Sequence, residues 1–170
     1  VKYEAYSDKK TIVNLTQHSY FNLSGDFKNT ILDHEIMIAA DNYLPVDATL
    51  IPTGKLTDVT NTPFDFRTAK VIGKDIELKN DQLTKGMRYD HCWALNGNGM
   101  RVVSSAYHPT SGRLLEISSD EPGIQFYSGN FLDGTLPAYG GGTYAFRSGF
   151  CLETQHYPDS PNQKDFPSVV

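Results

Sequence analysis

The chain has 170 residues, 39% of them hydrophobic and 21% charged, with 15 Lys plus Arg against 20 Asp plus Glu and a formal net charge of −5. That length and apolar fraction fit one domain, residues 1–170, with a sizeable core, and exclude global disorder. The acidic balance leaves no electrostatic footprint for nucleic acid or an anionic membrane, and no apolar run approaches the ~20 residues of a membrane helix. The opening Val1-Lys2-Tyr3-Glu4 matches no signal or transit peptide. Cytoplasm is therefore the default expectation. The chain lacks an initiator Met and starts inside a predicted strand, as a fragment or processed chain would.

Ten Tyr, nine Phe, 14 Gly and nine Pro favour strands and turns over helices. Strands are predicted in chain order over 2–6, 11–15, 35–39, 91–95, 100–107, 113–118, 123–127 and 146–154. The one tolerable helix lies around 73–80. Turn signals separate the strands at Ser24-Gly25-Asp26, Asn96-Gly97-Asn98-Gly99, Asp133-Gly134 and Gly140-Gly141-Gly142. The stretch from Arg101 through Pro109 and Gly112 to Ser119 reads as a β-hairpin. Many short strands with frequent turns predict an all-β sandwich.

Several chemistries find no support. Gly140-Gly141-Gly142 is followed by Thr143-Tyr144, without the Lys-Ser/Thr of a phosphate loop, and Gly97-Asn98-Gly99 lacks a dinucleotide fingerprint's third glycine. There is no Gly-x-Ser-x-Gly elbow. Cys92 and Cys151 stand 59 positions apart with no metal-ligand spacing, so both are expected as buried free thiols and no metal or other cofactor is expected. Two Asn-x-Ser/Thr triplets, at Asn14 and Asn22, flank a candidate site, where a glycan would obstruct it.

Four segments set polar residues among aromatic and apolar ones. They are Asn14-Leu15-Thr16-Gln17-His18-Ser19-Tyr20-Phe21-Asn22-Leu23, Arg88-Tyr89-Asp90-His91-Cys92-Trp93, Gly123-Ile124-Gln125-Phe126-Tyr127-Ser128-Gly129-Asn130, and Cys151 to Asn162. In the last, strand alternation puts Phe150, Leu152 and Thr154 on one face and Cys151, Glu153 and Gln155 on the other. A carboxylate beside a cysteine near a strand end faces either a pocket or solvent; buried carboxylates are rare unless paired or functional. His18 is either a loop-holding histidine or a catalytic one, and Asp90 can simply pair with Arg88 or orient His91.

Taken together, in order and over nearly the whole chain, these segments resemble the aldose 1-epimerase (galactose mutarotase) family. The resemblance implies a β-sandwich of the galactose mutarotase-like type and a small-molecule sugar, an aldohexose, as substrate. It implies that His18 is the general acid and Glu153 the general base. It further implies that Asp90 and Gln125 bind sugar hydroxyls, and that Ser19 and Tyr20 lie in the sugar-binding stretch. The family's upstream Asn-Arg pair and His-Gly-Gly segment have no counterpart here, nor do its last strands. The chain thus resembles the C-terminal half of a longer member. Two other readings stay open: a carbohydrate-binding sandwich without turnover, and an inactive piece of a longer epimerase. The sequence sets no oligomeric state.

Overall fold

The computed structural model describes all 170 residues. Nine strands form: β1 (Glu35–Ile38), β2 (Asn42–Leu44), β3 (Thr57–Asp58), β4 (Lys70–Val71), β5 (Asp90–Ala94), β6 (Arg101–His108), β7 (Arg113–Ser119), β8 (Gly123–Tyr127) and β9 (Cys151–Gln155). All pairings are antiparallel, in a four-stranded sheet ordered β4-β1-β6-β7 and a five-stranded sheet ordered β3-β2-β5-β8-β9. The sheets face each other across one core, which is the predicted sandwich.

Alternation decides what enters that core. Ile36 and Ile38 of β1, Val103 and Ala106 of β6, and Leu115 and Ile117 of β7 point inward from one sheet; Tyr43, Trp93, Ile124, Phe126 and Leu152 answer from the other. On β6 the spacing of inward residues shifts because a bulge lies between Val102 and Ser104. Phe64, Phe66, Tyr89, Trp93 and Phe126 interlock mostly edge-to-face or tilted, with ring centroids 5.2 to 6.1 Å apart. Those are the arrangements aromatic quadrupoles favour. The Trp93 indole N–H is satisfied by the Phe64 carbonyl at 2.9 Å.

The opposite face of the five-stranded sheet is divided. Over β2 and β5 it is dry: Leu44, Cys92 and Ala94 are covered by Tyr157 and Phe166. Towards β8 and β9 it is polar and opens to solvent. Both cysteines are buried and free, as expected.

Three expectations need correction. Segments 2–6 and 11–15 form no ladder, and residues 1–15 are exposed. Of that stretch only the Val13 N–H reaches another backbone group, the Val169 carbonyl at 2.8 Å. The outward edge of β9 is taken by side chains instead, as described below. The strand expected from 146 begins only at Cys151, because Arg147 adopts φ 58° and breaks the extended run. The helix expected over 73–80 is a single 3-10 turn at Ile72–Lys74, and a short α-helix, α1 (Asp81–Lys85), follows it. Asn80 starts α1 rather than ending a helix, since its Oδ1 accepts the N–H groups of Gln82 and Leu83 at 2.9 and 3.2 Å.

Candidate active site

The polar part of the outer sheet face is built by register. Cys92 on β5 lies opposite Gln125 on β8, which lies opposite Glu153 on β9. Asp90 is two residues from Cys92 and shares its face, as Tyr127 shares that of Gln125. Three consecutive strands thus deliver Asp90, Gln125 and Glu153 to one surface. The wall is completed by His18 and Tyr20 from the segment running past β9, and by Leu50, Phe131, Gln155 and Pro158. The cleft holds about 400 Å³.

That segment is held without a ladder. The Asn14 side chain brackets residue 156, donating to its carbonyl and accepting its N–H, both at 3.0 Å. Thr16 Oγ1 donates to the Thr154 carbonyl at 2.9 Å, and Gln17 Nε2 to the Leu152 carbonyl at 3.1 Å. Gln17 Oε1 accepts the Ser19 N–H at 3.0 Å. Beyond it, Phe21 and Phe150 exchange both backbone bonds, at 2.8 and 3.0 Å. The side chain of Asn22 donates to the carbonyls of Asn29 and Ser148, at 2.9 and 3.0 Å. Both amides of the Asn-x-Ser/Thr triplets are therefore engaged in the fold.

Asp90 is fixed from behind. The carbonyl of Tyr89 accepts from Ser128 N, Ser128 Oγ and Asn130 Nδ2 at 3.0, 3.2 and 2.9 Å. Those partners come from the same motif that carries Gln125. His91 points away from the cleft into the aromatic core, 4.8 Å from the Phe64 ring, and burial pushes its pKa down to about 3, so it stays neutral.

Within the cleft His18 Nε2 stands 3.2 Å from Glu153 Oε1. The two differ sharply in exposure: the carboxylate side chain is 9% exposed and the imidazole 53%. Burial raises the pKa of Glu153; His18 opposes this and Asp90 adds to it. Burial also raises Asp90, against a 2.8 Å hydrogen bond from Gln125 Nε2 and the nearby His18. Gln125 Oε1 is buried with no partner. An acceptor in that state costs about 1–3 kcal/mol unless a ligand donates to it. The His18 ring stacks on Tyr20 at 5.3 Å, Tyr20 meets Tyr127 edge-on at 6.1 Å, and Phe131 stacks on Tyr127 at 6.0 Å. A half-exposed aromatic wall thus faces a row of acids and an amide.

Five of the six residues singled out in the sequence are brought together: His18, Tyr20, Asp90, Gln125 and Glu153 all line the cleft. Ser19 does not line it and is exposed. In an extended run its side chain leaves on the side opposite to His18 and Tyr20. Asp90 does not pair with Arg88, which binds Glu77 instead. The residues missed were Tyr127 and Phe131 in the wall, and Ser128 and Asn130 behind Asp90. Tyr127 was within reach of the alternation rule, two positions from Gln125; the role of Ser128 and Asn130 depends on β5 and β8 being neighbours.

A family model described as aldose 1-epimerase matches residues 1–170. Human galactose mutarotase is 48% identical over 171 residues, covering 100% of this chain and 48% of the human protein. Aldose 1-epimerase of Escherichia coli K12 is 41% identical, covering 98% of this chain and 48% of its own. The crystal structure of a GalM/aldose epimerase homologue from C. elegans superposes with a TM-score of 0.79 at 31% identity, over 93% of this chain and 46% of that one. Galactose 1-epimerase from Lactobacillus acidophilus gives 0.73, also at 31% identity, over 89% and 42%. This chain spans about half the length of the curated relatives it matches. On the fold, the ordered motifs and the match along its whole length, the chain belongs to the aldose 1-epimerase family.

Proposed function

We propose that this chain carries the acid–base machinery for interconverting the α and β anomers of an aldohexose such as glucose or galactose. The observation that supports it best is the pairing of a desolvated carboxylate, Glu153, with a half-exposed imidazole, His18, 3.2 Å apart on a sugar-sized cleft. Anomer exchange needs one group to take a proton and another to give one, at two oxygens bound to the same carbon.

In the proposed cycle the C1 hydroxyl and the ring oxygen enter between the two groups. Glu153 takes the C1 hydroxyl proton while His18 gives a proton to the ring oxygen. The bond between C1 and the ring oxygen breaks, leaving an aldehyde and a C5 hydroxyl. After rotation about C1–C2 the C5 hydroxyl attacks the other carbonyl face. His18 takes back the C5 hydroxyl proton, Glu153 returns its proton to the carbonyl oxygen, and both groups end as they began. Each positioned acid or base supplies typically about 10²–10⁴-fold. Desolvation suits Glu153 to the base role, because a carboxylate with a raised pKa holds a proton more strongly than an exposed one.

The other residues orient the ring. The unpartnered Gln125 Oε1 suits a hydroxyl donor, and the Asp90 carboxylate beside it suits a second. Tyr20 and Tyr127 offer an apolar surface to a sugar's C–H face. Polarimetry of freshly dissolved α-D-glucose and α-D-galactose tests the proposal. Decay to the anomeric equilibrium should be faster with the chain than in buffer, and slower by at least about 10²-fold with Glu153→Gln. A Glu153→Gln variant as fast as the parent overturns it. A parent that binds sugar without accelerating the decay identifies a binding module.

A further inference from the structure

Two clusters bring histidine and carboxylate donors together, and proton placement separates them. Asp33, His34 and His108 hold their donor atoms within 4.8 Å of one another. His34 Nε2 accepts the Leu23 N–H at 2.9 Å, and His108 Nδ1 accepts the Ser111 N–H at 3.1 Å. Each ring must then carry its proton on the nitrogen facing Asp33, at 3.0 and 3.1 Å. Those nitrogens have no lone pair for a cation, and the cluster is a hydrogen-bonded anchor for the Leu23 turn.

The second cluster is free of that constraint. A ring nitrogen of His18, Cys151 Sγ and a Glu153 carboxylate oxygen lie within 4.8 Å of one another, and no backbone N–H donates to the half-exposed His18 ring to fix its proton. Cys151 and Glu153 are i and i+2 on β9 and share the cleft face. A tetrahedral ion with bonds of about 2.0–2.3 Å spaces its N, O and S ligands about 3.3–3.6 Å apart. The His18–Glu153 separation of 3.2 Å already matches one edge. Cys151 lies buried beneath the other two donors, and closing separations of at most 4.8 Å to that edge length brings its sulfur into reach of the same ion. The Asp90 carboxylate adds negative charge beside the three donors.

We propose that His18, Cys151 and Glu153 form a three-donor site for a thiophilic divalent cation of the Zn²⁺ type, and that its occupation shuts the catalytic cleft. The proposal rests on the acid–base reading of that cleft for its effect on turnover, but not for the binding itself. Burial, with Glu153 and Asp90 nearby, pushes the Cys151 thiol well above the ordinary cysteine range, so without a cation it is protonated and inert. On coordination the S–H bond breaks, its proton leaves to solvent, and the metal–thiolate bond forms. Thiolate and carboxylate then balance the two charges of the ion. With their lone pairs on the metal, His18 and Glu153 can neither give nor take the sugar's protons.

Cobalt titration of the full chain reads binding without turnover. Added Co²⁺ should give a thiolate-to-cobalt charge-transfer band saturating at one equivalent, and Zn²⁺ should bleach it. The band should vanish in Cys151→Ala, persist in Cys92→Ala, and require about a hundred-fold more cobalt in His18→Ala. The last variant alters an exposed side chain, so it stays informative even if Cys151→Ala folds poorly. Zn²⁺ should also stop sugar turnover by the parent, with Cys151→Ala needing about a hundred-fold more. No band from a folded chain, a band that follows Cys92, or turnover indifferent to saturating Zn²⁺ each overturns the proposal. A chain that binds cobalt but fails to turn over sugar overturns only the epimerase reading. One that turns over sugar without a cobalt band overturns only the metal site.

Discussion

Replacing Gln17 should impair the cleft without touching any group proposed to contact sugar. The carboxamide makes two bonds at once: Nε2 donates to the Leu152 carbonyl at 3.1 Å, and Oε1 accepts the Ser19 N–H at 3.0 Å. It clamps the residue before His18 to β9 and the residue after His18 to itself. A typical intramolecular hydrogen bond is worth about 0.5–1.5 kcal/mol, so Gln17→Ala should loosen the segment by about 1–3 kcal/mol. That corresponds to roughly 5- to 150-fold in the docking equilibrium of the His18 segment. Gln17→Glu is the sharper test. It is isosteric and keeps an acceptor for Ser19, but it replaces the donor to Leu152 with a carboxylate oxygen facing a carbonyl oxygen. It should therefore be at least as damaging as alanine, although by size it is the milder change. The assay is polarimetric turnover together with amide exchange at Val13 and Phe21, which flank the segment. We expect kcat to fall while KM changes little, with faster exchange at Val13. Wild-type turnover and exchange in both variants would refute the idea that side chains, in place of a ladder, position His18.

In the proposed cycle Glu153 must be ionised to act as base, and its pKa is raised, so turnover should fall as pH drops through a value above the usual glutamate range. Asp90→Asn removes a charge that raises Glu153 and should move the acid limb of kcat/KM to lower pH; a limb that stays put or moves up contradicts this. The same shift has a stability consequence. A raised folded-state pKa contributes stability that is full below the unfolded pKa and is lost as pH rises through the folded one. Glu153→Gln does not titrate, so its melting temperature should exceed the parent's at neutral pH, with the advantage vanishing in acid; a parent that melts higher at neutral pH counts against it. In the core, Phe126 is fully buried among Phe66, Tyr89 and Trp93. Phe126→Ala should cost about 3–5 kcal/mol in a urea melt, and a loss below about 1 kcal/mol would mean the aromatic cluster is not the structural centre.

The two longest strands and β8 were legible because they alternate between turn signals, and 123–127 was read with its observed bounds. The face assignment on β9 was legible for the same reason: Leu152 enters the core and Glu153 enters the cleft. β2, β3 and β4, of three, two and two residues, were not. Strands that short carry too few alternations to register, and their pairing is decided by neighbours distant in sequence. Thr11-Ile12-Val13 is β-branched and reads as strand, yet in the fold only one backbone bond holds it. Propensity reports how well a side chain suits a pleated surface, and says nothing about whether a partner's edge is free. Of the site, the ordered motifs pointed to Asp90, Gln125, Glu153 and His18, but their convergence depends on β5, β8 and β9 being adjacent. The supports supplied by Gln17, Ser128 and Asn130 are long-range contacts that no local pattern encodes.

The tethering of the His18 segment has a further consequence for solubility. As the last strand of its sheet, β9 would present a row of bare carbonyls and amides, the template on which a second molecule can add its own strand and seed a fibril. Here the carbonyls of Leu152, Thr154 and His156, and the N–H of His156, are already spoken for by Gln17, Thr16 and Asn14. Short polar side chains offer no continuous backbone for an incoming strand to extend. The same contacts that hold His18 over the cleft therefore occupy most of the acceptors an incoming strand would need on this margin of the sheet, and loss of the tether should raise the tendency to associate.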